Sequence, residues 1–202
     1  MGGEKHFPPV FATNRPDNGE TVAAELVRLF QGVRKLYADP ASVAIATAYL
    51  NPAGFVLLAD ELEQAPSVRL LLGAEPDPKV GQRTVPPLTN DETRSALEEH
   101  GEWLARERDL TGFSREEDRA ARRMVEWLQK ASDGGEPTVE VRRYGHGFLH
   151  GKAYIADHPQ LPAVLAGSSN MTYAGLMRNA ELNLGYPVGE HTHLVQEWFE
   201  HF

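Results

Sequence analysis

Cysteine is absent from the 202-residue chain. Structural disulfides, thiolate metal sites and a cysteine nucleophile are excluded with it. No apolar run approaches the roughly 18 residues that a membrane-spanning helix needs. The opening Met1-Gly2-Gly3-Glu4-Lys5-His6 also lacks the basic-then-apolar layout of a secretory signal. A cytoplasmic protein with no membrane partner is the expectation. Basic residues are scarce too: 20 Lys and Arg stand against 29 Asp and Glu, a formal net charge of −9. That balance opposes a broad basic surface for sequence-blind nucleic-acid binding, which needs phosphate neutralisation by Lys and Arg.

The charge is unevenly spread. Residues 91–136 hold 13 acidic and 8 basic side chains, whereas residues 139–189 hold 3 acidic and 4 basic. The acidity therefore sits on segments that read as solvated helices, and it does not veto an anionic substrate elsewhere. Composition is otherwise ordinary for a globular chain, 41% hydrophobic and 24% charged, which argues against disorder.

Residues 1–19, with Pro8, Pro9 and Pro16, read as an irregular lead-in, and residues 20–202 as one domain. From Glu20 to Tyr37 the apolar positions Val22, Leu26, Leu29, Phe30, Val33 and Leu36 recur near a 3.6 period, predicting an amphipathic helix. Ser42 to Leu50 is apolar almost throughout, as a strand buried on both faces would be. Asn51-Pro52 then offers a cap and a first helical proline. A helix to about Gln64 and a strand Val68–Leu72 complete a β-α-β unit.

Residues 75–90 read as a loop or lid, and two charged surface helices follow, from Asn90 to about Asp109 and from Ser114 to Ala131. The last third predicts strands at 139–143, 148–156, 163–166 and 181–186, then a helix from His191 to Phe202. Either that helix is a natural C-terminus docked on the core, or the chain is the N-terminal part of a longer protein. The class expected is α/β: a mixed, largely parallel central sheet flanked by helices on both faces.

The chemistry concentrates in His150-Gly151-Lys152-Ala153-Tyr154-Ile155-Ala156-Asp157. On a strand, His150 and Lys152 project to one side about 6.6 Å apart along the chain. An imidazole beside an ammonium is a poor structural pair, because each disfavours the other's positive charge. It makes sense with an anion between them. Gly167-Ser168-Ser169-Asn170 follows a buried strand, where N–H groups and small hydroxyls can converge on a phosphate. Asn179-Ala180-Glu181 brings a carboxylate toward the same sheet end.

His-x-Lys-x4-Asp, then Gly-Ser-x-Asn, then Asn-x-Glu resembles the signature of the phospholipase D superfamily. The match holds at His150, Lys152, Asp157, Gly167, Ser169, Asn170, Asn179 and Glu181. The resemblance implies a phospholipase D-like fold and a metal-independent phosphodiesterase, with no cofactor. It makes His150 the nucleophile of a phosphohistidine intermediate. Lys152 and Asn170 would hold the non-bridging oxygens, aided by Ser168 or Ser169, and Glu181 would accept the Nδ1 proton of His150. Asp157 is counted with the catalytic set, although a structural acceptor is an equal reading. Arg178 is a candidate contact to a nucleic-acid backbone. Arg142 and Arg143 face the same choice between a polyanion and solvent. His191, His193 and His201 read as a solvated helix rather than a metal site.

Superfamily chemistry needs two histidines, and this chain holds one such motif. The resemblance therefore implies a homodimer through the active-site face, with one composite site. Its substrate would be nucleic acid, DNA favoured, and a fused or associated helicase module is the implied partner. The alternative is a catalytically silent phosphate- or nucleic-acid-binding or dimerisation module of a helicase- or restriction-type protein. A phospholipase ranks last, for want of an apolar interfacial face.

Overall fold

The computed structural model describes residues 7–36, 41–73, 115–144, 149–186 and 189–202. The loop expected at 75–90, the helix expected at 90–109 and the residues His6, His100, Trp103 and His146 lie outside them.

Thr21 caps α1 (Val22–Leu36) by accepting the Ala24 N–H at 3.2 Å. One stripe of α1 is buried: Val22, Ala23, Leu26, Leu29, Phe30 and Val33. Strand β2 (Ser42–Thr47) follows, buried after its first residue. Asn51 Oδ1 takes the Gly54 N–H at 2.7 Å, and Pro52 opens α2 (Pro52–Leu62). Strand β3 (Val68–Leu72) then pairs in parallel with β2. Beyond it come α3 (Arg115–Leu128), β4 (Val139–Arg143) and β5 (Lys152–Asp157), then β6 (Ala163–Gly167) and the short α4 (Tyr173–Met177). Strand β7 (Asn183–Tyr186) and α5 (Glu190–Glu200) finish the chain.

Residues 7–19 do more than lead in. Phe11–Ala12 forms a strand, β1, antiparallel to β7. Gly185 is what permits this: its N–H donates to Val10 O at 3.0 Å, and a Cβ there would fall 1.5 Å from Pro9 O. A two-residue strand between prolines carries no period that a sequence reading could detect.

The seven strands form one sheet in the order β1-β7-β6-β5-β2-β3-β4. It is mixed, as expected, but not largely parallel. Two pairings are parallel, β2 with β3 and β3 with β4, and four are antiparallel. Burial on both faces, read as a mark of parallel strands, comes here from helices on both faces. The connection from β5 to β6 is too short for a crossover and forces a reversal.

Strand alternation divides the core in two. Ile45, Leu70, Tyr154 and Leu165 meet α1, α2 and Trp127 of α3 on one face, with Phe55 and Trp127 ring centroids 4.8 Å apart. Ala44, Ala46, Ala153 and Ile155 meet Phe199 of α5 on the other. Each fully buried Leu or Ile contributes about 1.5–3 kcal/mol. The alanines of β2 and β5 let α5 sit close. Among the described residues no helix is long and apolar enough to cross a membrane.

Candidate active site

Three stretches of chain meet at one end of this sheet: the start of β5, the end of β6 with the loop to β7, and the end of β2. The register makes the meeting explicit. Lys152 pairs with Gly167, Gly167 with Asn183, and Asn183 with Ala12. On its other side the pairing of Ala46 with Ala153 carries Lys152 to Thr47.

Lys152 is buried, at 5% exposure, while His150 two residues earlier is exposed. Both have neighbours to bond with in this crowded corner. Gly151 between them faces the opposite side of the sheet, since a Cβ there would come 2.9 Å from Cη2 of Trp198. That packing leaves room only for glycine and keeps the histidine and lysine on the other side.

Asn170 is locked from behind. Its Oδ1 accepts the Tyr49 N–H at 3.3 Å and lies 3.4 Å from the Thr47 hydroxyl, while Thr47 Oγ1 takes the Met171 N–H at 3.0 Å. With Oδ1 turned inward, the Nδ2 amide is the donor left to face a ligand. Thr47 carries this arrangement at 0% exposure, and nothing in the sequence singles it out.

The two serines part company. Ser168 is exposed; its hydroxyl donates to the Glu181 carboxylate and receives the Leu182 N–H at 3.0 Å. It orients the carboxylate rather than standing free for substrate. Ser169 is fully buried, and its Oγ accepts from Asn183 Nδ2 at 2.7 Å while its N–H donates to Asn183 Oδ1 at 3.3 Å. The substrate contact expected of Ser169 is therefore replaced by a structural one. Asn183, which the sequence reading passes over, also donates to Ala12 O at 3.3 Å.

Glu181 is half-buried, and its backbone carbonyl takes the Thr13 hydroxyl at 2.6 Å. Its charge reaches the Tyr154 phenol, which is held far above the usual tyrosine range by burial first and by Glu181 second. Tyr154 accordingly stays protonated and donates to Ser169 O at 3.0 Å. Arg178, at the C-terminal end of α4, lies exposed over the Tyr173 ring, 4.8 Å from its centroid.

Asp157 is not brought to this cluster. It stands at the far end of β5, about 17 Å away along the strand, opposite Ser42. There it accepts Gln196 Nε2 at 3.0 Å and lies 3.5 Å from the Arg69 guanidinium. The spacing that completes the motif thus tethers α5 and β3 to β5. Among the described residues no group of three or more His, Asp or Glu side chains could hold a metal.

An exposed imidazole, a buried ammonium, an amide donor and a serine-held carboxylate gather where three segments of a mixed sheet end. No family model and no curated protein matches the chain. Among solved structures, NucT from Helicobacter pylori is similar at 13% identity and a TM-score of 0.45, with 89% of this chain and 90% of that one covered. A polyphosphate kinase from Porphyromonas gingivalis is similar at 11% identity and the same TM-score of 0.45, with 98% of this chain covered. This chain spans 23% of that kinase's length. At such identities these likenesses say nothing of a substrate.

Proposed function

We propose that the chain is a phosphodiesterase acting on nucleic acid through a histidine nucleophile. The observation that carries this reading is the exposed His150 standing two residues before the buried Lys152, at the sheet end where Asn170 and Glu181 also arrive. In the first step His150 Nε2 attacks phosphorus, a P–N bond forms, and the P–O bond to the leaving nucleotide breaks. A second imidazole protonates that oxygen. Water then attacks phosphorus as the same imidazole takes its proton, and the P–N bond breaks to free the enzyme. Lys152 and Asn170 Nδ2 stabilise the negative oxygens. Glu181, held by Ser168, accepts a hydrogen bond from the Nδ1–H of His150 and fixes the tautomer. Arg178 contacts a flanking phosphate.

The second imidazole is assigned to a second copy of the chain. Of the other described histidines, His158 follows the far end of β5, His191 and His193 belong to α5 on the opposite face, and His201 caps its C-terminal end.

The test is hydrolysis of a chromogenic phosphodiester and of DNA in excess chelator, with rapid acid-free quenching to trap a phosphoryl group on His150. Turnover with trapped label, and a dimer by light scattering at micromolar concentration, are the expected results. Strict dependence on an added divalent ion would overturn the mechanism. Oligonucleotide binding without turnover under broad conditions would favour a silent binding module instead.

The placement of Asp157 gives a second expectation. Asp157→Asn should leave kcat within about threefold of wild type. It should lower stability by about 1 kcal/mol, a shift of roughly 2–4 °C in Tm, because its partners are partly exposed. A loss of kcat beyond 100-fold at unchanged Tm would return it to the catalytic set.

A further inference from the structure

The row of paired residues through Lys152 does not stop at Thr47. Thr47 pairs with Leu72 of β3, and Leu72 with Arg143 of β4. Residues paired across a sheet project to the same face, so Lys152 and Arg143 point the same way from the same end. Three strand spacings separate them, about 14 Å. Arg143 is exposed, and no carboxylate neutralises it among the described residues. Its neighbour Arg142 projects from the other face and is bound to Glu140 at 2.7 Å. In a chain of net charge −9, an exposed guanidinium with no carboxylate partner among the described residues, aligned with the site lysine, is open to an anion. On the other flank, α4, between β6 and β7, carries the stacked Tyr173 and Arg178 at its two ends.

We infer that Arg143 is a distal phosphate subsite, and that the polynucleotide lies across the sheet end from Arg178, past Lys152, to Arg143. This rests on the phosphodiesterase reading above. At about 3.4 Å of rise per nucleotide along one strand, 14 Å spans about four phosphates of a helical strand and fewer of an extended one. Arg143 therefore engages only substrates that extend several nucleotides beyond the scissile bond. A dinucleotide or a small chromogenic diester cannot reach it. Affinity for longer strands comes from two anchors outside the reacting centre, which explains how a strongly acidic chain can hold a polyanion.

The experiment compares the wild type with Arg143→Ala and Arg143→Lys on single-stranded DNA of increasing length, with a dinucleotide and bis(4-nitrophenyl) phosphate as short substrates. For Arg143→Ala, kcat/KM on long strands should fall about tenfold relative to the short substrates, mostly in KM, with Arg143→Lys intermediate. The log–log salt slope of binding to a fluorescent strand should shrink by about 0.7. An equal loss on short and long substrates, or an unchanged salt slope, overturns the subsite. If the wild type cleaves nothing, the phosphodiesterase reading fails, while the salt slope still decides whether Arg143 binds phosphate.

Discussion

Replacing His150 with alanine should abolish phosphodiester cleavage, by at least about 10⁴-fold in kcat, with little change in Tm. Removing a covalent nucleophile leaves only the residual rate of binding and charge stabilisation. The stability half follows from exposure: His150 lies at the surface, and surface substitutions of this kind usually stay within about 0.5 kcal/mol, or roughly 2 °C. The same variant reads the composite site. In a two-fold assembly whose single cleft needs both imidazoles, a mixed dimer is dead rather than half-active. Equal mixing and re-equilibration of wild type and His150→Ala should leave about one quarter of the activity, since random pairing makes about that share fully wild-type. A residual near one half would mean that each chain works alone, and the shared cleft would have to be abandoned.

The largest expected effect on stability belongs to Asn183→Leu. Asn183 is 0% exposed and makes three hydrogen bonds, to both the N–H and the hydroxyl of Ser169 and to the carbonyl of Ala12. Leucine fills the space but leaves those three groups without partners in the dry interior. Each stranded group costs about 1–3 kcal/mol before relaxation. A loss of about 3–4 kcal/mol is expected, seen as a lower urea midpoint at an unchanged m-value. Activity should fall as well at temperatures where the variant is folded, because Ser169 immediately precedes Asn170. A change below 1 kcal/mol would show that the sheet end tolerates a loose turn.

Several of these residues were legible in the sequence, and others were not, for physical reasons. Helix α1 announces itself by a 3.6 period and α2 by Asn51-Pro52, β3 falls where its apolar run lies, and β4 falls at the expected 139–143. His150, Lys152, Asn170 and Glu181 are legible as a spaced motif, and the strand register carries the segments that hold them to one sheet end. Thr47, Asn183 and Tyr49 are not, since a buried threonine, asparagine or peptide N–H acquires its role only from a partner more than a hundred residues away in sequence, or, for Asn183, fourteen. Asp157 misled for the opposite reason. It sits at a telling interval, but an interval of five along a strand measures a distance to the far end of the sheet. Strand direction is hidden for a related reason, because burial on both faces records what covers a strand and not which way its neighbour runs.

The clasp of the first strand on the last has a kinetic side. Asn14 donates to the carbonyls of Gly175 and Asn179 at 3.0 and 2.9 Å, and among the described residues β1 pairs only with β7. These contacts join segments more than 160 residues apart, so closing them carries a chain-entropy cost that local contacts escape. The turn bearing Asn170 therefore gains its outer brace only once most of the sheet has formed.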